Sequence, residues 1–212
     1  GGDPAFRRAS YGVGRVVAAC DSTAHSIAAA ISAASARGSH HPNLRFAVAD
    51  ASTWSDPSFA PDLYVSRHGV MFFDEPSAAF EHLRTISAPT SRLAFTCFRS
   101  PEENTWMSGL ASLVPGGAPA RDPTAPGPFA FADPHRVRAI LESAGWSGVR
   151  IEPLDFAYIA GAGADPVSDA IAFFQRIGPL APMLRSAEGD MRQLLMDRLR
   201  QWISRHLNGD MV

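Results

Sequence analysis

The sequence predicts an α/β domain with a mostly parallel sheet and helices on both faces, on three observations. Apolar strand-like runs alternate with amphipathic helical stretches, which is typical of parallel strands joined by crossover helices. Two of the runs end on a carboxylate, Asp21 and Asp50, and parallel sheets bind ligands at the carboxyl ends of their strands. The chain has 212 residues, 46% of them apolar, which is enough for one substantial core.

The first half of the chain contains four predicted strands and two predicted helices. A helix is predicted over 22–37, because isoleucines recur on one face and Gly38 stands just past its end. A second helix is predicted over 74–87, where apolar side chains again recur at helical spacing. Helices of this length between strands favour parallel pairing. The predicted strands are 15–20, 43–51 and 92–98, and the apolar run 62–73 contains the third predicted strand in chain order.

A segment at about 100–131 differs in composition from the rest of the chain. It carries much of the proline and glycine, which predicts an insertion or lid with little regular structure. Three large apolar residues within it, Trp106, Met107 and Phe129, have two equally good interpretations. They either line a pocket for an apolar or aromatic ligand or pack within the lid itself.

Regular structure is predicted to resume after this segment. A helix is predicted over 133–145, with Asp133 as its N-cap, Pro134 in the first helical position and Gly145 at its end. The run 148–156 follows and predicts a further strand.

The C-terminal part, about 166–207, predicts a helical segment that ends in an amphipathic helix at 190–207. An apolar stripe of this kind favours core or lid packing over a partner-binding surface. We expect the whole chain, 1–212, to form a single domain that includes the insertion and this segment. The predicted apolar face consists of Met191, Leu194, Leu195, Leu199, Trp202 and Ile203.

Charge and hydropathy exclude several classes of partner. A formal charge of −2 without a basic run argues against a nucleic-acid surface. No apolar stretch approaches the roughly 18 residues of a membrane span, and no signal-peptide pattern opens the sequence. Cys20 and Cys97 lie in apolar runs, which indicates reduced, buried thiols and a cytoplasmic protein. The histidines show no metal-site spacing, so no metal is expected.

The absence of lysine is the most selective feature of the composition. All 19 basic residues are arginine. This excludes a Schiff-base lysine, a phosphate-loop lysine and the Tyr-x-x-x-Lys pair of short-chain dehydrogenases. The bias toward arginine and alanine also suggests a GC-rich bacterial genome.

Several segments, in order, resemble the class I S-adenosylmethionine-dependent methyltransferases. They are similar in particular to the small-molecule branch that includes ubiquinone and menaquinone methyltransferases. The most specific match is "VSRHGVMFFDEP" followed by "AFEHLR", and "RVVAACDST", "LRFAVADAST" and "PFAFADPHRVRAILESAGWSGVRIE" match further parts of the family pattern. The resemblance implies a Rossmann-like sheet, S-adenosyl-L-methionine as cofactor and methylation of a small-molecule acceptor.

The resemblance also implies that the sequence is trimmed at both ends. The family opens with a strand and a loop of the form acid-x-Gly-x-Gly-x-Gly, whereas this chain begins "GGDPAFRRAS". Gly1 and Gly2 match the last glycines of that loop, and Gly2 precedes Asp21 by the spacing expected of dinucleotide-type units. We therefore expect the first strand, and likewise the last, to be missing from this sequence.

Asp21 has a structural and a functional interpretation. From the residues alone, its carboxylate either caps the helix that follows or binds a ligand hydroxyl at the strand end. The resemblance implies the second role: Asp21 would accept hydrogen bonds from both ribose hydroxyls of the cofactor. Ser22 would border the adenosine, and Gly1 and Gly2 would approach the cofactor by their backbone.

Three further residues are implied cofactor ligands. Asp50 would accept a hydrogen bond from the adenine amino group, and Ala51 would offer its backbone N–H to the ring. Ser66, near the end of the third predicted strand, would lie near the methionine portion.

His68 is the best candidate for a catalytic base. It follows a strand near the expected ligand edge, and a neutral imidazole can accept a proton near pH 7. The structural alternative is that His68 packs in the pocket wall. A base is needed only for a weakly acidic hydroxyl or a carbon acid.

The sequence leaves three functions open. The first is methyl transfer to a small molecule, and the second is a catalytically inactive methyltransferase-like domain that serves in binding or assembly. A nicotinamide-dependent dehydrogenase is the third, disfavoured by the missing lysine and by the second acid, Asp50. A homodimer is compatible with each.

Overall fold

The computed structural model describes residues 17–21, 44–117 and 122–212. These residues belong to two compact units. The strand unit lies within Gly1–Phe98 and Thr124–Arg150, and the helical unit within Arg99–Pro123 and Ile151–Val212. The predicted helix over 22–37 lies outside the described residues. The single domain over 1–212 stays a prediction.

Four described strands form two parallel pairs in the strand unit. Strand β1 (Val17–Asp21) pairs with β2 (Leu44–Val48), and β3 (Leu63–Arg67) pairs with β4 (Arg92–Thr96). Parallel pairing was predicted from the alternation of strands and helices, and it is confirmed for both pairs. A continuous Rossmann-like sheet with helices on both faces stays a prediction.

The β3–β4 pair has one face on the core and one face toward solvent. Side chains alternate across a strand, so Tyr64, Leu93 and Phe95 pack against the buried cluster. Val65, on the opposite face, is 47% exposed. Helix α1 (Pro76–Thr85) supplies part of the buried cluster on the core side.

Phe80 of α1 lies at the centre of the strand unit's core. It is 0% exposed, and its ring contacts those of Phe73, Phe95 and Phe131 at centroid distances of 5.7–6.1 Å. The indole Nε1 of Trp146 donates a hydrogen bond to the Phe80 carbonyl over 3.0 Å. This contact satisfies the polar atom of an otherwise apolar side chain inside the core.

Helix α3 (Pro134–Ser143) confirms the clearest helix signal in the sequence. The Asp133 side chain accepts a hydrogen bond from the His135 backbone N–H over 2.8 Å, which caps the first turn. Gly145 follows the C-terminal end with a φ of +83°, a conformation that favours glycine. The helix buries Val137, Ile140 and Leu141 against the core that α1 also lines.

The helical unit contains the other four described helices. Helix α2 spans Thr105–Ser112, α4 spans Pro166–Phe174, α5 spans Ala181–Ser186 and α6 spans Gly189–Ser204. The deepest stripe of α6 is Leu195, Leu199 and Ile203, each 0% exposed. Two other members of the predicted apolar face, Met191 and Leu194, are 44% and 42% exposed, so the buried stripe is narrower than predicted.

Helix α2 lies in the segment that was predicted to have little regular structure. Its Met107 is 8% exposed and its Leu110 is 0% exposed, which gives the segment a buried face of its own. Apolar packing of that face outweighs the local proline and glycine content. The prediction of an irregular segment was therefore wrong for these eight residues.

The predicted strand over 148–156 was wrong. No described strand covers these residues. The side chains of Leu154 and Phe156 are 70% and 58% exposed. Pro153 stands in the middle of the run and has no N–H to donate to a ladder. The run is apolar enough for a strand, but its proline opposes regular pairing.

Backbone hydrogen bonds join Ala160 and Gly161 to Val212 within the helical unit. Ala160 N donates to Val212 O over 2.7 Å, and Val212 N donates to Gly161 O over 2.9 Å. Gly161 is buried beside the first turn of α4. None of the helices in the described part of the chain has the length and apolar character of a membrane span.

Candidate functional site

Two of the predicted site acids lie at one edge of the β1–β2 pair. Asp21 is the last residue of β1 and stands in register with Val48, two residues before Asp50. Because paired strands lie about 4.8 Å apart, the backbones at these two strand ends are neighbours. Ser22, Gly1 and Gly2 lie outside the described residues, and so does the helix that Asp21 would cap.

Asp50 forms a tight polar turn with Ser52. Its Oδ1 accepts hydrogen bonds from the Ser52 backbone N–H over 2.9 Å and from the Ser52 hydroxyl over 2.7 Å. The Ser52 hydroxyl and backbone N–H lower the pKa of the exposed Asp50 carboxyl, so it is ionised at neutral pH. Both bonds go to Oδ1, which leaves Oδ2 as an acceptor without a partner among the described residues.

This turn is fixed to the core of the strand unit. The Trp54 N–H donates to the Asp50 carbonyl over 2.8 Å. Nε2 of His82, on α1, lies 2.9 Å from the Trp54 carbonyl, which can only accept, so Nε2 carries the proton. Ala51 lies inside the turn and is half-buried. The turn that contains Asp50 and Ala51 is therefore joined to helix α1 by the hydrogen bond between His82 and Trp54.

His68 ends the third strand in an unusual conformation. Its φ of +57° makes it the one non-glycine residue with positive φ in the described part of the chain. Its N–H donates to the Thr96 carbonyl over 3.0 Å, which extends the contact with β4 by one residue. Such strain costs on the order of 1–3 kcal/mol and is common at functional sites. It also ends β3 well before residue 73.

Ser66 lies half-buried in β3, two residues before His68. A Cβ built on Gly69 would stand 2.9 Å from the Ser66 Oγ. The chain therefore passes closely over the Ser66 hydroxyl, and glycine leaves room for it.

The His68 imidazole stacks on Phe98. The ring centroids are 4.3 Å apart and the planes differ by 23°. Burial, followed by the charge of Arg67, lowers the pKa of His68, so its imidazole is neutral at pH 7. A half-buried neutral imidazole can accept a proton. Phe98 was missed in the sequence analysis, where the available signal was an aromatic residue at the end of the predicted strand 92–98.

The three apolar residues of the predicted insertion fall in different units. Phe129 contacts Phe98 in the strand unit, with centroids 6.2 Å apart. Trp106 stacks on Tyr158 in the helical unit, with centroids 5.2 Å apart, and Met107 is buried there. Among the described residues, no group of three or more His, Cys, Asp or Glu side chains could hold a metal ion.

Comparison with known proteins finds a likeness in fold to a solved structure. No protein-family model and no curated protein matches the chain. Among solved structures, it is similar to the [4+2]-cyclase SpnF, with a TM-score of 0.50 and 19% identity over 99% of this chain and 68% of that one. At this identity the likeness concerns the fold alone. The chain therefore shares with that cyclase a mixed α/β fold with parallel strands.

Proposed function

We propose that the chain is an S-adenosylmethionine-dependent methyltransferase that acts on a small molecule. The main supporting observation is the parallel pairing of β1 and β2, which brings Asp21 and Asp50 to one strand edge. The resemblance of several sequence segments to the class I methyltransferases supports the same proposal, and the α/β fold shared with SpnF is compatible with it. In such folds ligands bind at the carboxyl ends of the strands.

The residues present fit the cofactor's adenosine. Asp50 offers an ionised carboxylate whose Oδ1 is engaged by Ser52 and whose Oδ2 faces no described partner, which suits an adenine amino group. Ala51 would offer its N–H to the ring and Asp21 would accept from the ribose hydroxyls. By the resemblance, Ser66 would lie near the methionine portion, with Ser22, Gly1 and Gly2 also near the cofactor.

The protein's own task is orientation and proton removal. The bound cofactor supplies a methyl group that is already activated. Holding two reactants in line lowers a barrier by about 7–11 kcal/mol at best. For a weakly acidic acceptor, the neutral His68 imidazole would accept the acceptor's proton.

Asp50→Asn tests the adenine contact with little change in the turn. The asparagine Oδ1 can still accept from Ser52, but an NH₂ donor replaces the Oδ2 acceptor. We expect the affinity for S-adenosylhomocysteine, measured by calorimetry, to fall about tenfold to hundredfold, because two donors then face each other. Asp21→Ala is expected to weaken binding similarly.

Asp56→Asn is the matched control. Asp56 makes the same two hydrogen bonds with Ser58, over 2.9 and 2.6 Å, that Asp50 makes with Ser52. The control removes the same charge and is expected to leave binding unchanged. Equal losses in both variants would contradict a specific adenine contact, and no binding by the folded wild type would reject the proposal for this chain.

His68 is expected to titrate below the ordinary histidine pKa of about 6.5. Its charged form is disfavoured first by burial and second by Arg67, so protonation requires a lower pH. An NMR titration of the imidazole resonances measures this directly. Arg67→Gln removes one of the two causes and should move the midpoint toward higher pH. Once an acceptor is known, the rate should fall as pH drops through the same midpoint.

Two other functions remain as outcomes of these tests. Binding of S-adenosylhomocysteine without transfer to any acceptor would favour the inactive binding or assembly domain. The likeness to SpnF, named a [4+2]-cyclase, adds a non-methylating enzyme to that outcome. Binding of NADH in place of S-adenosylhomocysteine would favour the dehydrogenase. A cytoplasmic location and a homodimer stay predictions.

A further inference from the structure

Three arginines line one cleft of the helical unit. The cleft has a volume of about 420 Å³ and is lined by Gln175, Arg176, Leu184, Arg185 and Arg192. No acidic side chain belongs to its lining. This concentration of positive charge contrasts with the formal charge of −2 on the whole chain. We call it the arginine cleft.

The three arginines come from three neighbouring elements. Arg176 follows Gln175, the C-terminal cap of α4, Arg185 lies in the last turn of α5, and Arg192 lies in the first turn of α6. Leu184 of α5, which also lines the cleft, is 1% exposed and belongs to the buried core of the helical unit. The guanidinium groups are therefore carried by packed helix ends and not by a long loop.

Backbone contacts hold two of the side chains. Arg176 Nε donates to the Ala172 carbonyl over 3.2 Å, and Arg192 Nη1 donates to the Leu184 carbonyl. Each bond uses one of the five N–H donors of a guanidinium. Most donors of the cleft thus remain available to a ligand.

None of the three arginines forms an ion pair with a carboxylate of the described residues. Three other arginines do form such pairs. Arg99 pairs with Glu103 and Asp155. Arg138 pairs with Glu142, and Arg200 pairs with Asp197. Glu188 and Asp190 are close to Arg192 in sequence, yet neither pairs with a cleft arginine. The cleft therefore lacks the counter-charge that other arginines of this chain have.

Helix dipoles explain only part of this arrangement. Arg176 and Arg185 stand at helix C-terminal ends, where a positive charge is favourable. Arg192 stands in the first turn of α6, where the dipole opposes a positive charge. Its guanidinium contacts the Leu184 carbonyl, near the C-terminal end of α5.

We infer that the arginine cleft binds a phosphate group carried by a small molecule. Guanidinium groups match phosphate oxygens with paired N–H donors, and three of them can surround a doubly charged group. Binding of a phosphate group at the cleft does not depend on the cofactor proposed above.

The test uses the whole chain, with inorganic pyrophosphate as the probe in calorimetry. Arg185→Gln is the test variant, because Arg185 makes no hydrogen bond or ion pair with the described residues. Arg200→Gln is the matched control: it removes the same charge from an exposed arginine of α6 that is paired with Asp197. We expect Arg185→Gln to weaken pyrophosphate binding about tenfold or more and Arg200→Gln to leave it within about twofold.

Two results would overturn the inference. The first is no pyrophosphate binding by the folded wild type; if that chain binds phosphatidylglycerol vesicles instead, the cleft is assigned to lipid headgroups. The second is an equal loss in both variants, which would show that binding depends on the overall charge of the protein and not on the cleft. Circular dichroism and binding of S-adenosylhomocysteine, unchanged in Arg185→Gln, would establish that the fold is intact.

Discussion

Replacing Phe80 by alanine is expected to lower the free energy of unfolding by about 3–5 kcal/mol. Phe80 is 0% exposed and contacts three other phenylalanine rings, so truncation leaves a cavity at the centre of the strand unit. The surrounding rings belong to β4, to α1's flank and to the residues before α3, which cannot all collapse inward. Urea unfolding followed by circular dichroism measures the loss.

Phe72→Ala is the control for this prediction. Phe72 lies in the same unit and is 53% exposed, so its truncation removes little buried area. We expect a change within about 0.5 kcal/mol, as for surface substitutions in general. Similar losses in the two variants would contradict the central position of Phe80.

Gly161→Ala is expected to cost about 3 kcal/mol or more in the helical unit. A Cβ at this position would stand 2.0 Å from the Pro166 carbonyl oxygen and 2.7 Å from the Ala170 nitrogen. Both atoms belong to the backbone of α4, so no side-chain rotation relieves the overlap. The same residue also hydrogen-bonds to Val212, so a shift of the strand-like contact would break a second interaction.

Gly127→Ala is the matched control for Gly161→Ala, because Gly127 has no close neighbours. A Cβ there meets its nearest atom, the Ala125 carbonyl oxygen, at 3.8 Å, which is ordinary contact. We expect at most a few tenths of a kcal/mol, measured by thermal unfolding alongside Gly161→Ala. A Gly161→Ala variant as stable as the wild type would show that α4 can move away from residue 161.

Helices whose signals are local were predictable from the sequence. The cap at Asp133, the proline at 134 and the glycine at 145 each act within one turn, and α3 begins and ends where they indicate. Helix α2 was not predictable in the same way. Its stability comes from the burial of Leu110 in a cluster whose other members are distant in sequence, and local composition does not contain that information.

Strand boundaries were less predictable than strand existence. The apolar run over 62–73 continues past the real end of β3 at Arg67, because a left-handed residue and a short 3₁₀ turn at Val70–Phe72 follow. The spacing of apolar residues along the sequence cannot reveal that one residue in the run has a positive φ. The run over 148–156 failed as a strand for a related reason: one proline matters more to a ladder than several apolar neighbours.

The positions of the candidate site residues were predictable where they depend on strand ends and not where they depend on packing, and their roles stay predictions. Asp50 and His68 were chosen because each follows a strand, and the structure gives each a defined partner, Ser52 and Phe98. The contact with Phe98 joins two residues that follow different strands and are 30 positions apart, so no local pattern could reveal it. The arginine cleft was missed because its three arginines are spread over 176–192 and meet only through the packing of short helices.

The exposed run at 151–159 affects how the protein behaves in concentrated solution. Four large apolar side chains in this short stretch are 38–70% exposed, which leaves a concentration of apolar surface in contact with water. They are Ile151, Leu154, Phe156 and Ile159. Pro153 interrupts its backbone donors, and an interrupted donor row is a poor template for fibril growth. Crowding should therefore drive this protein toward reversible clusters held by side chains, which disperse on dilution, and not toward ordered fibres.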